Sequence, residues 1–144
     1  MTMLLFLDFD GVLHPAGSQE KEQFSRLPRL EKVLRAHAGL QVALTTDWQV
    51  EHPLDELRAK FSSDIAPRII GCVPSTKRKG AQTRYERIQR FLRKNAWQRD
   101  AWVALDDLED EFPAHCPRLV LCRPEVGFDE DAEGKLRGRL LGRV

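Results

Sequence analysis

The stretch Leu4-Leu5-Phe6-Leu7-Asp8-Phe9-Asp10-Gly11-Val12-Leu13 decides the fold. Four apolar residues run into two acids spaced i, i+2, and then a glycine. The apolar run reads as a strand buried on both faces, the pattern of a parallel sheet. A strand ending in carboxylates sets them at its C-terminal edge, where open α/β sheets bind ligands. Residues i and i+2 of a strand point the same way, so Asp8 and Asp10 are expected to share a site. Gly11 lets the chain leave in a conformation that other residues resist. The two acids are read as carrying the chemistry.

Outward from this strand the chain alternates. Leu13 to Ser18 is a loop by its Pro and Gly content. Leu27, Leu30, Val33, Leu34 and His37 repeat at helical spacing, with Ser25 as candidate N-cap and Gly39 as stop. Leu40–Leu44 predicts a second strand ending in Thr45-Thr46-Asp47. Pro53 opens a short helix with Leu54, Leu57 and Phe61 on one face. Arg68–Val73 predicts a third strand, and Pro74–Gly80 a basic loop. Ala81, Tyr85, Ile88 and Leu92 mark an amphipathic helix. Ala101–Leu105 predicts a fourth strand running into Asp106-Asp107, Leu119–Cys122 a fifth, and about 129–141 a final helix. The expected architecture is α/β: a central parallel sheet of about five strands with helices on both faces, in a single domain over 1–144.

The bulk numbers exclude several classes. With 144 residues, 42% hydrophobic and 31% charged, the chain is long enough for a substantial core. Three cysteines without a CxxC suggest neither a disulfide framework nor a zinc site, and a cytoplasmic setting fits best. The first apolar run, broken by Asp8 and without basic residues before it, does not read as a signal peptide. No apolar run is long enough to span a membrane.

In a parallel sheet all strand C-termini lie at one edge. Asp8/Asp10, Thr45/Thr46 and Asp106/Asp107 can therefore converge, with a basic helix over 80–95 preceding the last pair. This pattern resembles the haloacid dehalogenase (HAD) superfamily of phosphohydrolases. The DxDG motif is matched by Asp8-Phe9-Asp10-Gly11, the Thr or Ser closing the next strand by Thr45, and the later acids by Asp106-Asp107. The family's single Lys or Arg near the start of the preceding helix is matched best by Arg84, four residues ahead of Ile88, with Lys79 as the alternative. Within the superfamily the chain is similar to the small HAD domains associated with Swiss Army knife RNA repair proteins. The likeness lies in LDFDGVLHP, Trp48, TRYERIQRFL, and WVALDD followed by LVLC. Members of that group often carry a Ser-rich second motif followed by Trp-Arg, where this chain has Thr45-Thr46-Asp47-Trp48-Gln49.

The resemblance implies a Rossmann-like HAD fold and an Mg²⁺-dependent phosphohydrolase. Asp8 would be the nucleophile and form an aspartyl-phosphate. Asp10 would protonate the leaving oxygen and then take a proton from the hydrolytic water. The Asp8 and Asp106 carboxylates and the Asp10 backbone carbonyl would hold Mg²⁺, with Asp107 as a ligand or orienter behind them. Thr45 would donate to a phosphoryl oxygen, and Arg84 or Lys79 would offset phosphoryl charge.

Simpler readings stand beside these. Thr45 or Thr46 can cap the following turn, Asp107 can belong to a solvated acidic loop with Glu109, Asp110 and Glu111, Trp48 reads as packing, and His14 reads as a plain loop histidine. Lys77 to Arg99 contains nine basic residues and one acid, Glu86, which is either a solvated helix face or a funnel for anions. The intervals between motifs hold no separate cap domain, and an open site suits nucleotide or nucleic-acid-end phosphates. The alternatives are a phosphatase of a small metabolite or phosphoprotein, and a non-catalytic phosphate- or RNA-binding module of the same fold.

Overall fold

A computed structural model describes residues 2–75, 82–98 and 101–142. Five short strands form one parallel sheet: β1 (Leu4–Leu7), β2 (Gln41–Leu44), β3 (Ile69–Cys72), β4 (Trp102–Asp106) and β5 (Leu119–Leu121), in the order β3-β2-β1-β4-β5. The helices are α1 (Leu27–Ala36), α2 (Leu54–Arg58), α3 (Arg84–Lys94) and α4 (Glu130–Leu140). The order reverses direction at β1, the switch point where α/β sheets open a crevice. This is the expected Rossmann-like architecture, with no separate cap domain among the described residues.

Alternation along the strands sorts the core into two layers. Leu5, Leu7, Val42, Leu44, Val103, Leu105 and Val120 face one way, against Leu30, Val33 and Leu34 of α1, Leu57 of α2 and Leu136 of α4. Leu4, Phe6, Ala43, Trp102 and Ala104 face the other way, against Ile88 and Leu92 of α3 and against Phe112. All four β1 residues are fully buried, as a strand covered on both faces requires.

Two helix starts differ from expectation. The N-cap of α1 is Arg26, not Ser25, and no side chain caps it; Pro28 instead supplies a preset φ in the first turn. Helix α3 begins at Arg84, behind a capping box in which Thr83 and Glu86 satisfy each other's backbone N–H groups. Ala81, expected on that helix, lies outside the described residues.

The end of α1 depends on a distant side chain. Arg68, just ahead of β3, donates to the carbonyls of Leu34 (2.6 Å), His37 (2.6 Å) and Leu40 (2.7 and 3.1 Å). One guanidinium thus adds a second donor to the Leu34 and His37 carbonyls, which already accept the His37 and Leu40 N–H groups, ties both to the Leu40 carbonyl, and sets positive charge at the negative end of the helix dipole. Arg68→Met is expected to cost about 2 kcal/mol and to lower the melting temperature by roughly 6 °C, measured by circular dichroism. An unchanged melting temperature would show that water replaces the guanidinium at no cost.

Candidate active site

Register builds the site. Leu7 of β1 lies opposite Leu44 of β2 and Leu105 of β4. The ladders continue one step further, through Thr45 N–H to the Leu7 carbonyl (2.8 Å) and Asp8 N–H to the Leu105 carbonyl (3.3 Å). Thr45, Asp8 and Asp106 therefore form one row across three neighbouring strands, at the C-terminal edge of the sheet. All three are buried.

Arg84 closes the row from α3, the helix that covers this face of the sheet. It is buried, and its Nη1 donates to Asp8 Oδ2 (3.1 Å) and Asp106 Oδ2 (2.8 Å). The second Asp8 oxygen accepts the Phe9 N–H (2.8 Å), and Asp106 Oδ1 accepts the Leu108 N–H (3.0 Å). Of the two expected cations, Arg84 reaches the acids. Lys79 lies outside the described residues.

Asp107 joins the group instead of belonging to a solvated loop. One carboxylate oxygen from each of Asp8, Asp106 and Asp107 lies within 4.8 Å of the others. Gly11 makes room for this: its φ is +78°, and a Cβ there would overlap the Asp107 carboxylate. Glycine is thus needed both for the turn and for the close approach.

Electrostatics inside this cluster are strained by burial. The Asp8 carboxyl is pushed well above its ordinary value by burial and by repulsion from Asp106 and Asp107, against the pull of Arg84. Burial likewise raises Asp106, opposed by Arg84, and raises Asp107, helped by Asp106. Burial works against the Arg84 charge, but the Asp106 and Asp8 carboxylates outweigh it and keep the guanidinium firmly ionised. Three carboxylates against one guanidinium leave an excess of negative charge. A donor set made only of oxygens, closely grouped and short of positive charge, fits a hard divalent cation such as Mg²⁺.

The two threonines have different jobs. Thr46 Oγ1 accepts the Trp48 N–H (3.2 Å) and caps the single 3-10 turn over Asp47–Val50. Thr45 Oγ1, one residue earlier, is buried with no hydrogen-bond partner among the described residues. Gln49 donates to the carbonyls of Thr46 (2.9 Å) and Val73 (2.8 Å) and ties β2 to the segment after β3.

Asp10 departs from expectation. β1 ends at Leu7, and turn hydrogen bonds from Val12 and Leu13 to the Phe9 carbonyl follow at once. The i, i+2 rule applies only inside a strand, so the carboxylates of Asp8 and Asp10 do not share a direction. Asp8 meets Arg84, whereas Asp10, largely exposed, meets His14 Nε2 (2.7 Å) and Trp48 Nε1 (3.0 Å). The Asp10 carboxylate is not part of the three-acid group. His14, read as a plain loop residue, is buried; only its position four residues after Asp10 hinted at a contact.

Comparison with known proteins bears on the family and the fold. The family model described as the HAD domain in Swiss Army Knife RNA repair proteins matches residues 4–132. Among solved structures, the chain is similar to the N-terminal part of the protein BF1531 from Bacteroides fragilis, described as containing a phosphatase domain complexed with Mg. The TM-score is 0.59 at 16% identity, and the match covers 94% of this chain but 40% of that one. No curated protein gives a significant match.

The raised carboxyls carry a signed consequence. A carboxyl held above its unfolded value binds its proton more tightly in the folded chain, so its contribution is fully present below the unfolded value. It is lost as pH rises through the folded one. Removing Arg84 removes the only counter-charge that touches Asp8 and Asp106 among the described residues. Without added metal, Arg84→Met is expected to cost about 3 kcal/mol at pH 7.5, read by urea denaturation. The deficit should shrink toward pH 5 as the acids take up protons; a deficit that grows on acidification would contradict this charge balance.

Proposed function

The chain belongs to the family of HAD domains found in Swiss Army Knife RNA repair proteins, and from that premise we propose that it is an Mg²⁺-dependent phosphohydrolase acting through an aspartyl-phosphate on nucleotide or nucleic-acid-end phosphates. The observation that carries this reading is the row Thr45, Asp8, Asp106: a carboxylate flanked on one side by a buried hydroxyl that bonds nothing among the described residues, and on the other by a second acid. A buried hydroxyl without a partner costs stability. A phosphoryl oxygen seated beside Asp8 would give it one.

Asp8 is the nucleophile. Arg84 pulls its carboxylate toward the anion, against a burial that favours the neutral acid. An Asp8 oxygen attacks phosphorus as the ester P–O bond breaks, and Asp10 delivers a proton to the departing oxygen. Asp10 then takes a proton from water, which attacks the phosphorus of the aspartyl-phosphate and releases inorganic phosphate. Thr45 donates to a phosphoryl oxygen throughout. Bound Mg²⁺, held by Asp8, Asp106 and Asp107 with the Asp10 backbone carbonyl, would supply the positive charge that lets an anionic ester approach an anionic nucleophile.

The substrate class rests on access and charge. No cap covers the strand edge among the described residues, which suits a phosphate at the end of a large molecule. Helix α3, whose first residue is Arg84, goes on with Arg87, Arg90, Arg93 and Lys94. A positive flank beside the site favours polyanionic substrates.

The direct test is hydrolysis of p-nitrophenyl phosphate and of 3′- and 5′-phosphorylated oligonucleotides with Mg²⁺. Asp8→Asn is expected to lower turnover by at least about a thousandfold, and EDTA to abolish it. If wild type and Asp8→Asn are equally inert while phosphorylated RNA still binds, the chain is a binding module instead. Thr45→Val provides an independent check, because it removes a hydroxyl that the fold does not use. The melting temperature should hold or rise, while kcat/KM falls about tenfold to a hundredfold. A matching loss of stability and activity would assign Thr45 to the fold alone.

A further inference from the structure

Asp10 is the exposed member of the acid set, yet its carboxylate is not free to turn. His14 Nε2 lies 2.7 Å from Oδ1 and Trp48 Nε1 lies 3.0 Å from Oδ2, so each oxygen has its own nitrogen. An indole nitrogen can only donate. The role of His14 is settled by its other nitrogen: Nδ1 accepts the backbone N–H of Phe24 (3.2 Å). With Nδ1 offering a lone pair, the hydrogen of the neutral ring sits on Nε2 and points at Asp10.

The surrounding chain is shaped to hold this arrangement. Phe24 has φ +63°, a left-handed backbone that residues with a Cβ rarely adopt, and its N–H meets His14 from that conformation. Its ring stands edge-on to Phe9 (5.3 Å), Trp48 (5.4 Å) and His14 (5.4 Å). Phe9, the residue between the two acids, also packs on Trp48 (5.6 Å). The two nitrogens that grip Asp10 are therefore fixed by an aromatic cluster, not by mobile surface chains.

We propose that His14 and Trp48 are positioning residues that clamp the Asp10 carboxylate at the mouth of the site, away from the Asp8, Asp106 and Asp107 group, and aim it at the leaving oxygen. The proposal rests on the phosphohydrolase reading. Neither clamp atom can drain the proton Asp10 must deliver: the indole nitrogen has no lone pair to offer, and His14 Nε2 already bears its hydrogen. The proton can pass only to the leaving group or to water. The clamp also divides the labour of two acids two residues apart. One carboxylate stays with the cation-binding cluster, and the other stays free for acid–base work.

Leaving groups of different basicity test this. Phenyl phosphate needs a proton on its departing oxygen, whereas p-nitrophenyl phosphate needs one far less. Trp48→Phe removes the N–H and keeps an aromatic ring against Phe9 and Phe24, so a melting curve accompanies it to register the smaller ring. The variant is expected to lower kcat about tenfold on phenyl phosphate and less than about threefold on p-nitrophenyl phosphate, with KM little changed. His14→Leu should show the same bias, with a melting curve to check folding. A readout independent of turnover is the indole N–H resonance of Trp48, identified by its loss in Trp48→Phe; Asp10→Ala should shift it while leaving the indole signal of Trp97, bonded to the Ala101 carbonyl, in place. An active wild type whose Trp48→Phe variant slows both esters alike, or a Trp48 resonance indifferent to Asp10→Ala, overturns the clamp alone. A wild type inert toward both esters overturns the phosphohydrolase reading, and the positioning role falls with it.

Discussion

Three carboxylates and one guanidinium are gathered at the edge of an apolar sheet, and much of the architecture answers to that. Taking ionised groups out of water is expensive, and pairing recovers the cost only where geometry is tight. Arg84 reaches two acids with a single nitrogen. The remaining imbalance is why burial pushes the acids upward. A site with surplus negative charge and an unpartnered hydroxyl is built for what it binds, not for its own stability. Its opposing layers of Leu, Val, Ile and aromatic residues supply the stability that the site does not.

Helix α3 ties this constraint to the rest of the fold. Ile88 and Leu92 seal one face of β1 and β4, while the first residue of the same helix places the guanidinium. The capping box of Thr83 and Glu86 fixes where the helix starts, and so fixes the height at which Arg84 meets the acids. A start one residue later would turn that side chain by about 100° around the helix axis. Helix capping, usually a matter of stability, here decides the geometry of a charge.

How much of this could be read from the amino-acid sequence depended on the range of the interactions involved. β1 was legible because an uninterrupted apolar run states its own burial, and Thr45 and Asp106 followed because parallel strands end together. The strand order was not legible, since pairing joins residues far apart in the chain. The surroundings of Asp10 are not legible because strand length is set by where turn hydrogen bonds begin: β1 ends at Leu7 and the first turn bonds fall on the Phe9 carbonyl, between the two acids. His14 was passed over because its importance depends on Phe24, ten residues on, and on an unusual backbone angle there. The start of α3 was different: Thr83 followed three residues later by Glu86 is a signature in plain view.

The separation of Asp8 from Asp10 shows how little sequence is needed to give two identical side chains different chemistry. Asp8 follows directly on a buried strand, so its surroundings are other strand ends, Asp106 and the neighbouring Thr45. Asp10 begins a turn, so its surroundings are whatever loop packs there, in this chain an imidazole and an indole. Gly11 then bends the backbone at φ +78° and leaves space for the Asp107 carboxylate. Any side chain at Gly11 would push Asp107 out of the acid group and disturb the turn that presents Asp10. Both halves of the proposed reaction, attack and proton transfer, thus hang on one position with no side chain at all.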